Sequence, residues 1–221
     1  MYQFRLQAIT SYFSSLPISI GTTLEITALA LALSTPIGLL LAKARLSPSW
    51  PIASFARAYV ELFRNIPLLV LLYVFFFGLA QVGLHLSNFW ATIAALTTNA
   101  AAYCTEIFRS GYTTIPQGQR EAARSLGLRG LHIEMFIVLP QVIRVIIPAY
   151  ANQCIGVLIG SSIAAVIGVP ELSDWMLATG SGSFRYMEAF LVAAVIYIVL
   201  CQAVAITMAA IDRRQRRLST S

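Results

Sequence analysis

The chain contains one lysine, Lys43, and it follows Leu41-Ala42. A phosphate-binding loop of the GxxxxGK[ST] type needs its lysine directly after a glycine-rich turn, so this chain cannot be a P-loop ATPase by itself. Charge is scarce altogether: Asp, Glu, Lys and Arg make up 11% of the 221 residues, against about a quarter in a soluble globular protein. The two histidines, His85 and His132, stand apart from each other and from any cysteine or carboxylate cluster, so no metal site is expected. Cys104, Cys154 and Cys201 show no CxxC spacing and lie in apolar stretches, where cysteine acts as a small packing residue. Catalytic constellations are missing too, and no cofactor is expected on the chain. Strict apolar/polar alternation is also absent, which argues against a β-barrel.

What is abundant is apolar sequence, 58% of the chain, with a mean hydropathy of +0.76. A bilayer core about 30 Å thick takes roughly 20 apolar residues per helix. Five stretches meet that length, at 20–42, 66–84, 89–107, 142–169 and 189–211. The first is too long for a signal sequence and no small-residue cleavage pattern follows it, so it reads as a retained helix. Pro36 falls inside it, with Ser34 and Thr35 beside it to satisfy a freed carbonyl. With the N-terminus outside and five spans, 13 of the 15 basic residues fall on the cytoplasmic side and only Arg5 and Arg185 outside. The net charge of +6 is therefore a topology signal of the positive-inside kind. The RRQRR run at 213–217 reads as a headgroup anchor rather than a nucleic-acid patch. The expectation is an all-α integral membrane protein forming a single domain over 1–221. Its N-terminus is outside, its C-terminus cytoplasmic, and a cytoplasmic loop runs over about 108–141.

Between the spans, residues 1–17 suit either the outer interface or a frayed terminus. KARLSPSWP (43–51) is a turn. In IASFARAYVELFRNIP (52–67), Arg57, Glu61 and Arg64 share a helical face. That segment either lies in the interface and turns inward at Asn65-Ile66-Pro67, or lengthens the second span. The central stretch QREAARSLGLRG (119–130) is a good helix former over 119–126, stopped by Gly127 in a left-handed conformation. Ala122, Ala123 and Leu126 are expected on one face, with Arg120 and Arg124 on another. A helix on the order of 10 Å long cannot span a membrane. It must rest on the surface or dock onto another protein.

Glu121-Ala122-Ala123, three residues, Gly127, nine residues, then Ile137-Val138-Leu139-Pro140 resembles the EAA signature of permease subunits of ABC importers. RAYVELFRNIPLLV (57–70), NAAAYCTEIFRSG (99–111), IPQGQREAARSLG (115–127), VLPQ (138–141) and IGVPEL (167–172) are similar to the polar amino-acid branch of that family. The resemblance implies that the EAA helix docks in a groove of a cytoplasmic ABC ATPase. Glu121 would be its polar contact, Ala122 and Ala123 its close-packed face and Gly127 its turn. Ile137, Leu139 and Pro140 lead into the fourth span. It also implies two permeases, identical or homologous, with an ATPase dimer and an extracytoplasmic solute-binding protein in a bacterial inner membrane.

Asn99, Asn152, Gln153, Ser161 and Ser162 are the candidate substrate path, because mid-membrane amides and hydroxyls can serve a zwitterion without a buried full charge. Each is also a candidate for helix packing. Gly156 and Gly160 form a GxxxG suited to close helix contact, within the chain or across a dimer. Relatives often carry a Lys-Asp-Thr-Ser-type run where this chain has Ile159-Gly160-Ser161-Ser162. If that charge pair holds solute or a gate in relatives, this subunit lacks an internal site or its partner permease supplies one. The competing reading is a secondary transporter or channel. That would call for inverted repeats or paired intramembrane charges, and five spans do not divide into equal halves.

Overall fold

The computed structural model describes residues 3–217, which are helical with no strand among them. A 3-10 helix (Leu6–Ser14) leads into α1 (Leu16–Arg45). There follow α2 (Trp50–Asn65), α3 (Leu68–Gln81), α4 (Asn88–Thr113) and the short α5 (Gln117–Ser125). The chain continues through α6 (Gly130–Ile167), α7 (Leu172–Ser183) and α8 (Tyr186–Arg217). The side chains of Arg216 and Arg217, the end of the RRQRR run, lie outside the described residues.

Among the described residues three helices, α1, α6 and α8, are long and apolar enough to cross a membrane, and α2 with α3 makes a fourth if that pair is one span. The break between α2 and α3 is a bend of 104°. Proline disfavours the helical region for the residue before it, and Ile66, before Pro67, is extended at φ −84°, ψ 127°. Of the two readings of this segment, the turn at Asn65-Ile66-Pro67 is therefore the one present. The expected third span lies within α4, whose 26 residues are long enough, at about 39 Å, to cross. Its composition falls short because Thr92, Thr97 and Thr105 are buried inside the bundle. α4 packs against α1, α2, α3 and α6. A helix enclosed by other helices gains nothing from being apolar all round.

The contact between α1 and α4 is a small-residue crossing. Ala30, Ser34, Gly38 and Ala42 recur every four residues along α1 and are buried. A Cβ on Gly38 would meet the Cβ of Cys104 and lie 3.1 Å from the backbone of Cys104 and Thr105. Such close approach is how helices gain dispersion contact where apolar transfer supplies no driving force. The GxxxG at Gly156 and Gly160 does not do this within the chain. A Cβ at Gly156 would meet nothing within 4 Å, and one at Gly160 would meet only Leu68 and Leu96 side chains at 3.3 Å. Pro36 also differs from expectation. It removes the donor for the Ala32 carbonyl, whereas the Thr35 and Ser34 hydroxyls both reach the Leu31 carbonyl, at 2.6 and 3.5 Å.

At the opposite end from Lys43, Glu171 is fully buried and joins three helices. Its carboxylate caps α7 by accepting from the Ser173 and Asp174 amides at 2.7 and 2.9 Å. It also accepts from Tyr197 of α8 at 2.9 Å and Thr23 of α1 at 3.4 Å. The N-terminal segment docks there rather than fraying. Ile9 is buried, Trp175 donates to the Tyr12 carbonyl at 2.9 Å, and Arg185 donates to the Gln3 carbonyl at 2.8 Å.

Candidate functional site

α5 begins after Pro116, whose extended ψ of 133° sets the chain into the helix, and ends in a six-residue closing turn. The Gly127 amide donates to the Arg124 carbonyl at 2.9 Å and the Leu128 amide to the Ala123 carbonyl at 3.2 Å. This is the Schellman arrangement, which needs a left-handed residue at the turn. Gly127 supplies it at φ +77°, as its place after the alanine-rich run predicts. No atom lies within 4 Å of where its Cβ would be. The glycine is required by the backbone, not by room.

The small face expected over Ala122, Ala123 and Leu126 is divided. Ala123 is buried, packed in a cluster with Ala42, Phe108, Tyr112, Ile133 and Val138. Glu121, Ala122 and Arg124 point outward, and Leu126, past the last helical turn, is 81% exposed. Neighbouring residues on a helix are about 100° apart, so once Ala123 faces inward Ala122 cannot. Ile137 and Leu139 are half-buried against the same cluster. Pro140 opens the regular part of α6 just after a π-helical stretch at Ile133–Val138. The proline offers no N–H to the Phe136 carbonyl, and the widened turns fall there.

Polar contacts hold α5 to the bundle. The Glu134 carboxylate accepts from the Tyr112 hydroxyl at 2.6 Å and pairs with Lys43 at 3.2 Å and Arg120 at 3.4 Å. One side chain of α6 thus ties together the ends of α1, α4 and α5. Gln141 donates to the Gln119 side chain and to the Ile137 carbonyl, both at 2.7 Å. A second cluster lies beside it, where Arg45 and Arg109 both pair with Glu106. Sequence reasoning missed Lys43, Tyr112, Glu134 and Gln141 as a brace. The available signal was that Glu134 is the one carboxylate between Glu121 and Glu171. Replacing Glu134 by Ala leaves three donors without their acceptor, and a hydrogen bond to a charged group is worth about 1.5–3 kcal/mol. Amide hydrogen exchange over 117–125 is expected to speed up about tenfold or more. Unchanged protection there would mean that the Ala123 packing alone holds α5.

The candidate substrate-path residues are not gathered in one place. Asn99 donates to the Phe63 carbonyl at 2.9 Å and so braces the α2–α3 bend, as does Tyr59 by donating to the Thr98 carbonyl at 2.9 Å. Ser161 is buried and donates to the Leu158 carbonyl at 2.7 Å. Asn152 is exposed and Gln153 half-buried on α6. Ser162 lines an apolar cavity of about 530 Å³ that also involves Ser173, Tyr197 and Gln202. Among the described residues no three His, Cys, Asp or Glu side chains are gathered to hold a metal ion.

Long apolar helices carrying a short, braced helix with an exposed polar face define an integral membrane component. Residues 34–217 match the family of the binding-protein-dependent transport system inner membrane component, and the chain belongs to that family. It is 35% identical to the probable amino-acid ABC transporter permease protein YckA of Bacillus subtilis (strain 168), over 88% of this chain and 86% of that one. It is 33% identical to the octopine transport system permease protein OccM of Rhizobium radiobacter, over 98% and 93% respectively. Among solved structures, a chain of an amino acid ABC transporter crystallised with histidines superposes with a TM-score of 0.87 at 33% identity. That match covers 96% of this chain and all of the other.

Proposed function

We propose that the chain is a permease subunit of an ATP-binding-cassette importer for polar amino acids or close analogues in the bacterial inner membrane. It works with a second permease, a cytoplasmic ATPase dimer and an extracytoplasmic solute-binding protein, and carries no cofactor of its own. The observation that carries this reading is α5. Its outer face offers Glu121, Ala122, Arg124 and Leu126 to a partner, while its inner face is locked to the bundle by Ala123 and Glu134. An ATPase that displaces α5 therefore displaces the ends of α1, α4 and α6 with it, and a rigid-body tilt of this kind opens a permease pair to one side or the other.

In this reading the chain crosses five times, through α1, the α2–α3 pair, α4, α6 and α8, with the N-terminus outside. The clustering of Lys43, Arg45, Arg109 and Arg120 at one end of the bundle and of Arg5 with Arg185 at the other supports that sidedness. A secondary transporter is disfavoured because the charge pairs among the described residues lie at the two ends of the bundle rather than facing each other across its middle. Purification of the tagged chain from its native host is expected to bring with it an ATPase bearing GxxxxGK[ST] and a permease, identical or homologous. A chain that transports solute in proteoliposomes with no such ATPase present would refute the reading.

A further inference from the structure

A polar cleft of about 470 Å³ opens beside the α2–α3 bend, lined by Arg45, Glu61, Arg64, Asn65, Tyr103 and Glu106, with Val60 its one aliphatic wall. Its volume is in the range of small-molecule sites, about 300–1,000 Å³. The charged heads in it are not spent equally. Both carboxylate oxygens of Glu106 are occupied, one by Arg45 and the other by Arg109 at 2.9 and 3.0 Å. Among the described residues no cation pairs with the Glu61 carboxylate, while the Arg64 guanidinium rests on the face of the Tyr103 ring, 5.0 Å from its centroid. Glu61 and Arg64 stand three apart on one helix, where a direct pair could form, yet both point into the cleft. The Asn65 amide nitrogen donates to the Glu61 backbone carbonyl at 2.7 Å, which leaves its side-chain oxygen able to accept.

From this geometry we infer that the cleft binds a small zwitterion of no net charge, an α-amino acid with an uncharged side chain. Arg64 takes the carboxylate through its paired donors, and Glu61 with the Asn65 oxygen takes the ammonium. With Glu106 held by Arg45 and Arg109, the cleft offers one cation, Arg64, and one anion, Glu61, without an ion partner among the described residues, so a neutral dipolar guest satisfies both and a guest of either sign satisfies one. Guanidinium–carboxylate pairing of this kind is among the stronger and more directional hydrogen-bonding modes. A phospholipid headgroup such as phosphatidylethanolamine offers the same ammonium-and-anion chemistry, but acyl chains need an apolar track and Val60 is too little of one. The inference rests on the importer reading for its choice of amino acid. It adds to that reading a site at the bend, on the same side of the bundle as the Arg45–Glu106–Arg109 cluster.

The test uses the intact transporter, without nucleotide, in nanodiscs of phosphatidylglycerol, with tritiated L-glutamine as the probe. Saturable binding is expected, weakened at least about tenfold in E61Q and in R64Q and unchanged in R57Q on the same helix. L-Arginine and L-glutamate are expected to compete at least about tenfold less well. Because R64Q could disturb the bend, Asn65→Cys, which removes one acceptor and keeps Glu61 and Arg64, gives a second readout, and L-glutamine at saturating concentration is expected to slow its labelling by a thiol reagent. A G127V transporter separates this inference from the function on which it rests, since it should keep L-glutamine binding while losing uptake. Wild-type affinity in both E61Q and R64Q, or labelling of the Asn65→Cys variant unaffected by L-glutamine, overturns the inference. Labelling slowed only when phosphatidylethanolamine is added overturns it too, in favour of a headgroup.

Discussion

Gly38→Leu is expected to lower the melting temperature of the detergent-solubilised chain by roughly 6–12 °C and to cut its yield in the membrane. The reason lies in what the new side chain would meet. A Cβ alone already falls against the Cys104 Cβ and 3.1 Å from two backbone atoms of α4. Flexible side-chain ends can swing aside, but backbone can move only by separating the two helices. Overpacking of a tight site costs about 1–3 kcal/mol, and a clash with main chain puts this case at the upper end. Loss would spread along the seam, because Ala30, Ser34 and Ala42 pack through the same close approach. Gly156→Leu is the control, since a Cβ there meets open space. If Gly38→Leu melts no lower than Gly156→Leu, the α1–α4 crossing is not where the chain's tight packing lies.

A second large effect is expected on transport rather than on stability. In Gly127→Val a β-branched residue must hold φ near +77°, which costs about 1–2 kcal/mol and favours another path for the chain after α5. No atom lies near enough for the valine to clash, so the bundle should insert and melt almost as before. What changes is the direction in which α5 and Leu126 are presented. Uptake by the reconstituted transporter is expected to fall at least tenfold, about 1.4 kcal/mol in barrier terms, while ATP hydrolysis continues. Glu121→Lys, which reverses an outward charge held to Gln117 at 2.9 Å, should uncouple in the same way. Uptake at the wild-type rate with both changes present would exclude α5 as the coupling element.

These two glycines show where sequence reasoning is strong and where it is not. Gly127 is legible because helix termination is local: an alanine-rich run and a glycine stop set the backbone within a few residues. The bend at Pro67 is legible for the same reason. Gly38 is not singled out by spacing over the GxxxG at 156–160, although Ala30, Ser34, Gly38 and Ala42 make an equally regular small-residue stripe. Spacing states that a helix has a smooth side but not which helix lies against it.

The same division runs through the candidate site. The sequence by itself determined that the chain is helical and apolar, where its helices turn, and that a short charged helix stands in the middle with no nucleotide loop to accompany it. Those properties follow from hydropathy, periodicity and local backbone sterics. Only the tertiary structure decided that Ala123 faces the bundle while Ala122 faces out, and that Asn99 is spent on the α2 backbone. It alone brought Lys43, Tyr112, Arg120 and Glu134 together from four helices. Pairing between residues as distant in the chain as Lys43 and Glu134 depends on how helices cross, and no local rule carries that information.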